Sequence, residues 1–226
     1  MFDDLANLFY PQTCSCCIGE LAKHENIVCT SCLNDLPLTN FHQDPDNPVK
    51  NIFYGRAVVE QASSLLFFRK KGKVQQLIHN LKYRGHEEIG KFLGEWMGNL
   101  LLQSGNYNGI DVVIPVPLHK RKLKSRGFNQ VEKFGREIAV ILGASYRDDV
   151  LVKQNATETQ TFKSRLSRWG NMEEIFTLEK PTRLENTHVL LVDDIITTGA
   201  TLEVCIHKLS GINGVKVSVA TMAFTN

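Results

Sequence analysis

The chemistry-bearing residues of this chain gather in a few short stretches, and His188–Thr201, HVLLVDDIITTGAT, is the most telling. An apolar run ends in two acids, Asp193 and Asp194, followed by Thr197, Thr198, Gly199, Ala200 and Thr201, and then a helical pattern. Gly199 permits a tight turn. Backbone N–H groups at a helix start, together with threonine hydroxyls, can surround a phosphate. Two carboxylates beside an anion pocket repel it unless they serve a purpose. Accepting hydrogen bonds from the cis-diol of a ribose is such a purpose. The plainer alternative is a strand–turn–helix junction with a threonine cap and solvated aspartates.

Two basic stretches could serve such a pocket. Val112–Gln130 reads VVIPVPLHKRKLKSRGFNQ, and no acid interrupts Lys120–Arg126. A solvated basic loop is the bland reading. Because the run follows a buried strand and feeds a helix, it should lie at the same sheet edge as the phosphate loop. Thr159–Asn171, TQTFKSRLSRWGN, adds Lys163, Arg165, Arg168 and Trp169, with no acid between Glu158 and Glu173. It reads either as a surface loop or as a cover that closes over a bound anion.

Five of the six cysteines fall within residues 14–32. Cys14, Cys17, Cys29 and Cys32 form two CxxC knuckles, which suit a tetrahedral structural zinc with no open position for water. Cys16 is a fifth sulfur that could stand in for one of these ligands. A redox pair is the weaker alternative. Cys205, on the apolar face of a predicted helix, reads as a small buried residue.

The elements that must hold these residues follow from hydrophobic period. Ala57–Phe68 supplies one or two strands. Helical spacing appears in Gly72–Tyr83, in Ile89–Leu101, in Val131–Leu142 and in Leu202–Leu209. Asp111–Pro115, His188–Val192 and Val215–Ala220 are short apolar runs of the buried-strand kind. Strands alternating with helices predict a parallel sheet covered on both faces, with ligands at the carboxyl ends of its strands. The loops after Pro115 and Val192 are where chemistry should sit. The expected organisation is a zinc ribbon over 1–36, a proline-bearing linker or extended arm over 37–50, and an α/β domain over 51–226.

Composition sets outer limits. The chain has 226 residues, 42% hydrophobic and 22% charged, with formal net charge +2. That charge is too small for nucleic-acid binding by bulk electrostatics. Residues 1–50 hold two basic and seven acidic side chains, against 24 and 17 in residues 51–226, so the main body is basic. A large α/β barrel does not fit, since that fold needs roughly 250 residues. No run approaches the roughly 20 apolar residues of a membrane span, so membrane insertion is not expected. Asp3 and Asp4 stand where a secretory signal would be basic, and a cytoplasmic protein with unpaired thiols is the expectation.

The DDIITTGAT segment resembles the phosphoribosyl diphosphate (PRPP) signature of type I phosphoribosyltransferases. That resemblance implies that Asp193 and Asp194 hold the ribose hydroxyls and that Thr197, Thr198, Gly199, Ala200 and Thr201 hold the 5′-phosphate. The whole order of features resembles the ComF family: four-cysteine ribbon, LKYRG (Leu81–Gly85), PVPLHKRKLKSRGFNQ, the Gln160…Arg168…Asn171 segment, then LLVDDIITTGAT. It implies a zinc ribbon on a type I phosphoribosyltransferase fold and a link with natural competence and DNA uptake. It also implies Mg-PRPP as ligand, with Arg126 and Lys124 on the diphosphate and Arg165 or Arg168 on a cover. Cys16 is additional to the family pattern.

Three functions compete at this point. The first is transfer from PRPP, with Asp193, Asp194, Arg126 and Arg168 as the working residues. In the second, the same cations, with Phe128 and Trp169, hold single-stranded DNA and PRPP regulates or is a relic. The third is an adaptor whose ribbon docks competence-machinery proteins. No residue stands out as a base for an acceptor.

Overall fold

The computed structural model describes residues 12–153, 176–179 and 181–225. Its centre is a five-stranded parallel sheet. In chain order the strands are β1 (Ala62–Phe67), β2 (Val112–Pro115), β3 (Ser145–Tyr146), β6 (His188–Ile196) and β7 (Lys216–Phe224), lying side by side as β1-β7-β6-β2-β3. Two further strands, β4 (Leu151–Lys153) and β5 (Phe176–Leu178), form an antiparallel pair outside the sheet. β2 and β7 are almost wholly buried and β6 is mostly so, as expected of strands with both faces covered.

The helices are α1 (Thr30–Asp35), α2 (Pro48–Asn51), α3 (Lys73–Tyr83), α4 (Glu88–Ser104), α5 (Lys120–Arg126), α6 (Glu132–Leu142) and α7 (Ala200–Ser210). One face of the sheet shares a core with α3, α4, α6 and the cysteine-bearing segment. The other face packs on α7, α2 and the β4–β5 pair. α4 carries Gly90, Gly94 and Gly98 at four-residue spacing, and this stripe admits α6 closely. A Cβ on Gly94 would stand 2.6 Å from the Phe134 carbonyl oxygen, and one on Gly98 would stand 2.8 Å from Ile141 Cδ1. The close approach fixes where α6 begins, and with it Gln130.

The chain runs from β2 toward β3 on one side and from β6 toward β7 on the other. The carboxyl ends of β2 and β6 therefore flank the topological switch point, where ligands bind in such sheets. These ends are in register, with Pro115 opposite Val192 and Val116 N–H donating to the Val192 carbonyl at 2.9 Å.

Residues 36–41 run along the outer edge of β1. Thr39 N–H donates to Leu65 O at 3.1 Å, and Phe67 N–H to Pro37 O at 2.8 Å. They close a sheet edge that would otherwise expose unpaired backbone groups. Asn47, 1% exposed, fastens the next turn by donating to the carbonyls of Phe41, Asp44 and Ala62 and accepting from the N–H groups of Val49 and Lys50. Among the described residues no helix is long and apolar enough to cross a membrane.

The basic run Lys120–Arg126 is the main departure from expectation: it is a helix, not a loop. His119 caps it, with Nδ1 accepting from Arg121 N–H at 3.2 Å, and Gly127 ends it at φ 87°. β6 also continues past Val192 through both acids to Ile196.

Candidate active site

Since β6 stays extended through its acids, its pleat sends the two carboxylates to opposite faces. Asp194 turns toward α3 and α6. It is buried, its Oδ2 lies 2.8 Å from Lys82 Nζ, and it accepts from Gln130 Nε2. Gln130 Oε1 accepts in turn from Arg126 Nη1. Lys82, Asp194, Gln130 and Arg126 thus form one chain in which each charge or amide has a partner. Asp193 turns to the other face. It is half-buried and accepts the Asp194 N–H at 2.8 Å. Loss of hydration, and then the Asp194 charge beside it, push its pKa up to about 8. Lys153 is within electrostatic range of it, and burial pulls that lysine's own pKa down.

Beyond the acids the chain turns at Thr197–Gly199 and enters α7. Gly199 has φ 72°, and a Cβ there would lie 2.6 Å from Ile52 Cγ2, so both conformation and space call for glycine. Thr197 and Thr198 are exposed while Gly199 is buried. A small cavity of about 70 Å³ runs along Asp193 and Thr197–Thr201. It faces the first turn of an eleven-residue helix, where free N–H groups favour an anion. Glu203 sits buried in that same turn and by itself would oppose an anion there. Arg56 pairs with it, and Arg56 Nη1 also donates to Thr198 O at 2.9 Å and Ile52 O at 3.2 Å. One guanidinium therefore neutralises the acid below the cradle and fastens the turn that forms it.

The second cavity, about 220 Å³, is lined by Lys82, Tyr83, Lys122, Arg126 and Phe128, among others. The Arg126 guanidinium lies 5.4 Å from the centre of the Tyr83 ring. A third hollow of about 330 Å³ lies beneath α5 and runs from Pro115 past Phe128 to Lys153. Asn129 Nδ2 donates to Val116 O at 3.2 Å, tying the RGFNQ segment to the loop after β2.

The structure thus brings Asp193, Asp194, Thr197, Thr198, Gly199, Ala200, Thr201 and Arg126 to one end of the sheet. Lys124 is exposed and lines none of these three cavities, whereas Lys122 lines the second. The helix explains the difference, because residues four apart share a face and Lys122 falls with Arg126. Arg165 and Arg168, with Lys163 and Trp169, lie outside the described residues. The place of Lys82 and the partners of Gln130 are what the sequence did not disclose, although both residues stand in recognisable motifs.

The Cys14, Cys17, Cys29 and Cys32 sulfurs all lie within 4.8 Å of one another, and Cys17 Sγ is 3.9 Å from Cys29 Sγ. Zn–S bonds of about 2.3 Å in a tetrahedron require sulfurs about 3.8 Å apart, so the group fits a zinc ribbon. N–H groups of Cys16 and Cys29 point at Cys14 Sγ, at 3.4 and 3.3 Å, and that of Cys32 at Cys29 Sγ, at 3.4 Å. Such bonds orient thiolate ligands. Cys16 is not one of the four; it is buried in the shared core, and burial pushes its thiol up to about 12. Cys205 is fully buried, as its place in the helical pattern predicts.

Comparison with known proteins fits this geometry. Residues 124–226 match the phosphoribosyl transferase domain family. The match starts inside α5 and contains both acids and the cradle, but leaves out Lys82 and the four-cysteine group. The chain is 32% identical to the DNA utilization protein YhgH of Escherichia coli K12 over 129 residues, 56% of each protein. It is 31% identical to Competence protein F of Haemophilus influenzae over 93 residues, 41% of each. These matches span about half the length of those relatives. Among solved structures, glutamine PRPP amidotransferase from B. subtilis aligns with 57% of this chain and 25% of its own, at 21% identity and a TM-score of 0.40. The parallel sheet, the switch-point acids and the four-cysteine group accord with a chain whose residues 124–226 are similar to the phosphoribosyl transferase domain family and which is similar over part of its length to DNA utilization and competence proteins.

Proposed function

We propose that the chain binds Mg-PRPP at the switch point, in the cytoplasm, and activates it for transfer of the ribosyl group. The observation that carries this reading is the pairing of a cradle at the α7 N-terminus with two strand-end carboxylates and a cationic wall. In this reading the 5′-phosphate lies against Thr197–Thr201, and Asp193 and Asp194 accept hydrogen bonds from the ribose hydroxyls. Arg126 and Lys122 on α5 face the diphosphate, with Arg165 and Arg168 as further donors; Lys124, which lines none of the three cavities, is left out of this reading. Magnesium, when bound, neutralises part of the diphosphate charge. As the C1′–O bond breaks, the electron pair leaves with diphosphate, and a nucleophile forms the new bond at C1′. Donors fixed in place before this step stabilise the growing negative charge, each by about 2.7–4 kcal/mol. Zinc in the Cys14, Cys17, Cys29 and Cys32 group has a structural part, since four thiolates leave no position open.

Calorimetric titration with Mg-PRPP tests the reading. The wild-type chain should bind, and an Asp193→Asn/Asp194→Asn chain should not. Absence of binding in the wild type, or equal binding in both, contradicts it.

A second reading concerns single-stranded DNA. It is favoured by the names of the relatives, by the cations Lys82, Lys122 and Arg126, and by the aromatic rings of Tyr83 and Phe128 beside them. Under this reading the protein acts with competence-machinery partners in DNA uptake, and PRPP is a regulator. Binding to an oligonucleotide should then weaken steeply between low and physiological salt, and a flat salt response counts against it.

A further inference from the structure

We infer that the cysteine module is a positioning element of the anion site, and that Asn80 is the residue through which it sets Lys82. This inference rests on the PRPP reading above for its binding test, though not for its structural test.

α3 lies between the two regions. At its first turn, Lys73 Nζ pairs with Asp35 Oδ2 of α1 at 2.7 Å, just beyond the second cysteine knuckle. Along its length, Val74, Leu77, Ile78 and Leu81 share one core with Cys14, Cys16, Val28, Cys32 and Leu36. Near its end, Asn80 is buried and directs its Nδ2 to the Ser15 carbonyl at 2.9 Å. Ser15 stands inside the first knuckle, and its own N–H donates to Ile27 O at 2.9 Å, next to the second. Asn80 Oδ1 accepts from Gln76 Nε2 at 3.1 Å, so the side chain is held at both ends.

The next residues of the same turn are the ones that reach the site. Lys82 extends to Asp194, and Tyr83 lies under Arg126. The buried Asn80 hydrogen bond ties the last turn of α3 to a knuckle whose own order depends on its four sulfurs being held together. Filling the knuckles with metal orders Ser15, Ser15 fixes Asn80, and Asn80 sets the last turn of α3. The family match begins only at residue 124, so this wall of the site comes from the segment that also carries the cysteines. The zinc ribbon is thereby part of the anion-binding apparatus without touching the anion.

The test uses the full chain as wild type, Asn80→Leu, Lys82→Gln and the double variant. Leucine keeps the buried shape at position 80 and removes the donor. Zinc content and melting temperature are recorded for each. Asn80→Leu should keep its zinc and speed amide exchange at residues 81–86, leaving 197–201 unchanged. Removing zinc from the wild type with a chelator should give the same exchange pattern at 81–86. Mg-PRPP affinity should fall about tenfold in Asn80→Leu and at least as far in Lys82→Gln, the loss of one charged hydrogen bond. In the Lys82→Gln background, Asn80→Leu should cost nothing more, because the two act through one path. Additive losses, or unchanged exchange at 81–86 in both Asn80→Leu and the metal-free chain, overturn the inference. If the wild type fails to bind Mg-PRPP, the PRPP reading falls and the exchange pattern alone decides this one.

Discussion

Asp193 and Asp194 are adjacent in sequence and live in opposite surroundings. Asp194 faces α3 and α6, and its Oδ2 is engaged by Lys82 and Gln130, with Arg126 behind them. Asp193 faces α7, beside the cradle; burial and its neighbour's charge raise its pKa. The first sits in an ion-pair network through one of its oxygens, the second is a carboxylate held where its charge is costly. The supports differ in the same way. The cradle is held from behind by Ile52 and Arg56, which follow α2, whereas the cationic wall is held by α3 and the cysteine module. The two sides of the site are thus built by separate parts of the N-terminal region, and each should fail in its own way.

The largest effect is expected on the engaged side. Lys82→Ala leaves Asp194 buried without its cation. Loss of one partner of a buried pair costs about 3–5 kcal/mol, and with Gln130 still bound we expect about 3 kcal/mol in a urea melt. A loss under about 1 kcal/mol would show that the network is no more than a surface pair.

Next comes the turn on the other side. Gly199→Ala puts a Cβ into a left-handed residue and against Ile52. Strain and overlap together should cost about 2–3 kcal/mol and abolish Mg-PRPP binding, while the Lys82–Asp194 pair stays intact. Unchanged binding would mean that the turn is a junction and not a cradle.

Asp193→Asn should have the opposite sign. The unfolded chain releases this proton near 3.8 and the folded chain only near 8. Between those values the folded state binds more protons, so stability drains away as pH rises. The asparagine variant should gain at least about 1 kcal/mol at pH 8 and nothing at pH 4, while losing ligand. Destabilisation at pH 8 would place Asp193 in the engaged class.

The smallest effect is expected at Lys124. Lys124→Ala should stay within about 0.5 kcal/mol in stability and leave Mg-PRPP affinity near that of wild type, whereas Lys122→Ala weakens it. Equal losses at both positions would return Lys120–Arg126 to the status of a diffuse charged run.

How much of this was visible beforehand depends on pattern. DVVIP and HVLLVDD announce buried strands by apolar runs, and the two CxxC knuckles declare their geometry by spacing. The helix Lys120–Arg126 was hidden because it holds one apolar residue, Leu123, and so has no hydrophobic period to read. Without the helix, Lys122 and Lys124 cannot be told apart. Lys82 was in view within LKYRG, but its partner lies on β6, more than a hundred residues away, and no local signal connects them. Arg56 stands in a turn without hydrophobic period; only the packing of the residues after α2 behind Gly199 gives it a task. The glycines at 90, 94 and 98 look like helix weaknesses until α6 is seen against them.

The central claim is that two differently built halves hold two ends of one ligand. Phosphorus NMR of PRPP with magnesium and the protein examines it most directly, because the 5′-phosphate and the diphosphate resonate separately. Binding to the wild type should shift both. Arg126→Gln should return the diphosphate signals toward their free positions and leave the 5′-phosphate shifted, and Thr198→Ala should do the reverse. Signals that respond alike to both substitutions, or to neither, would contradict the account.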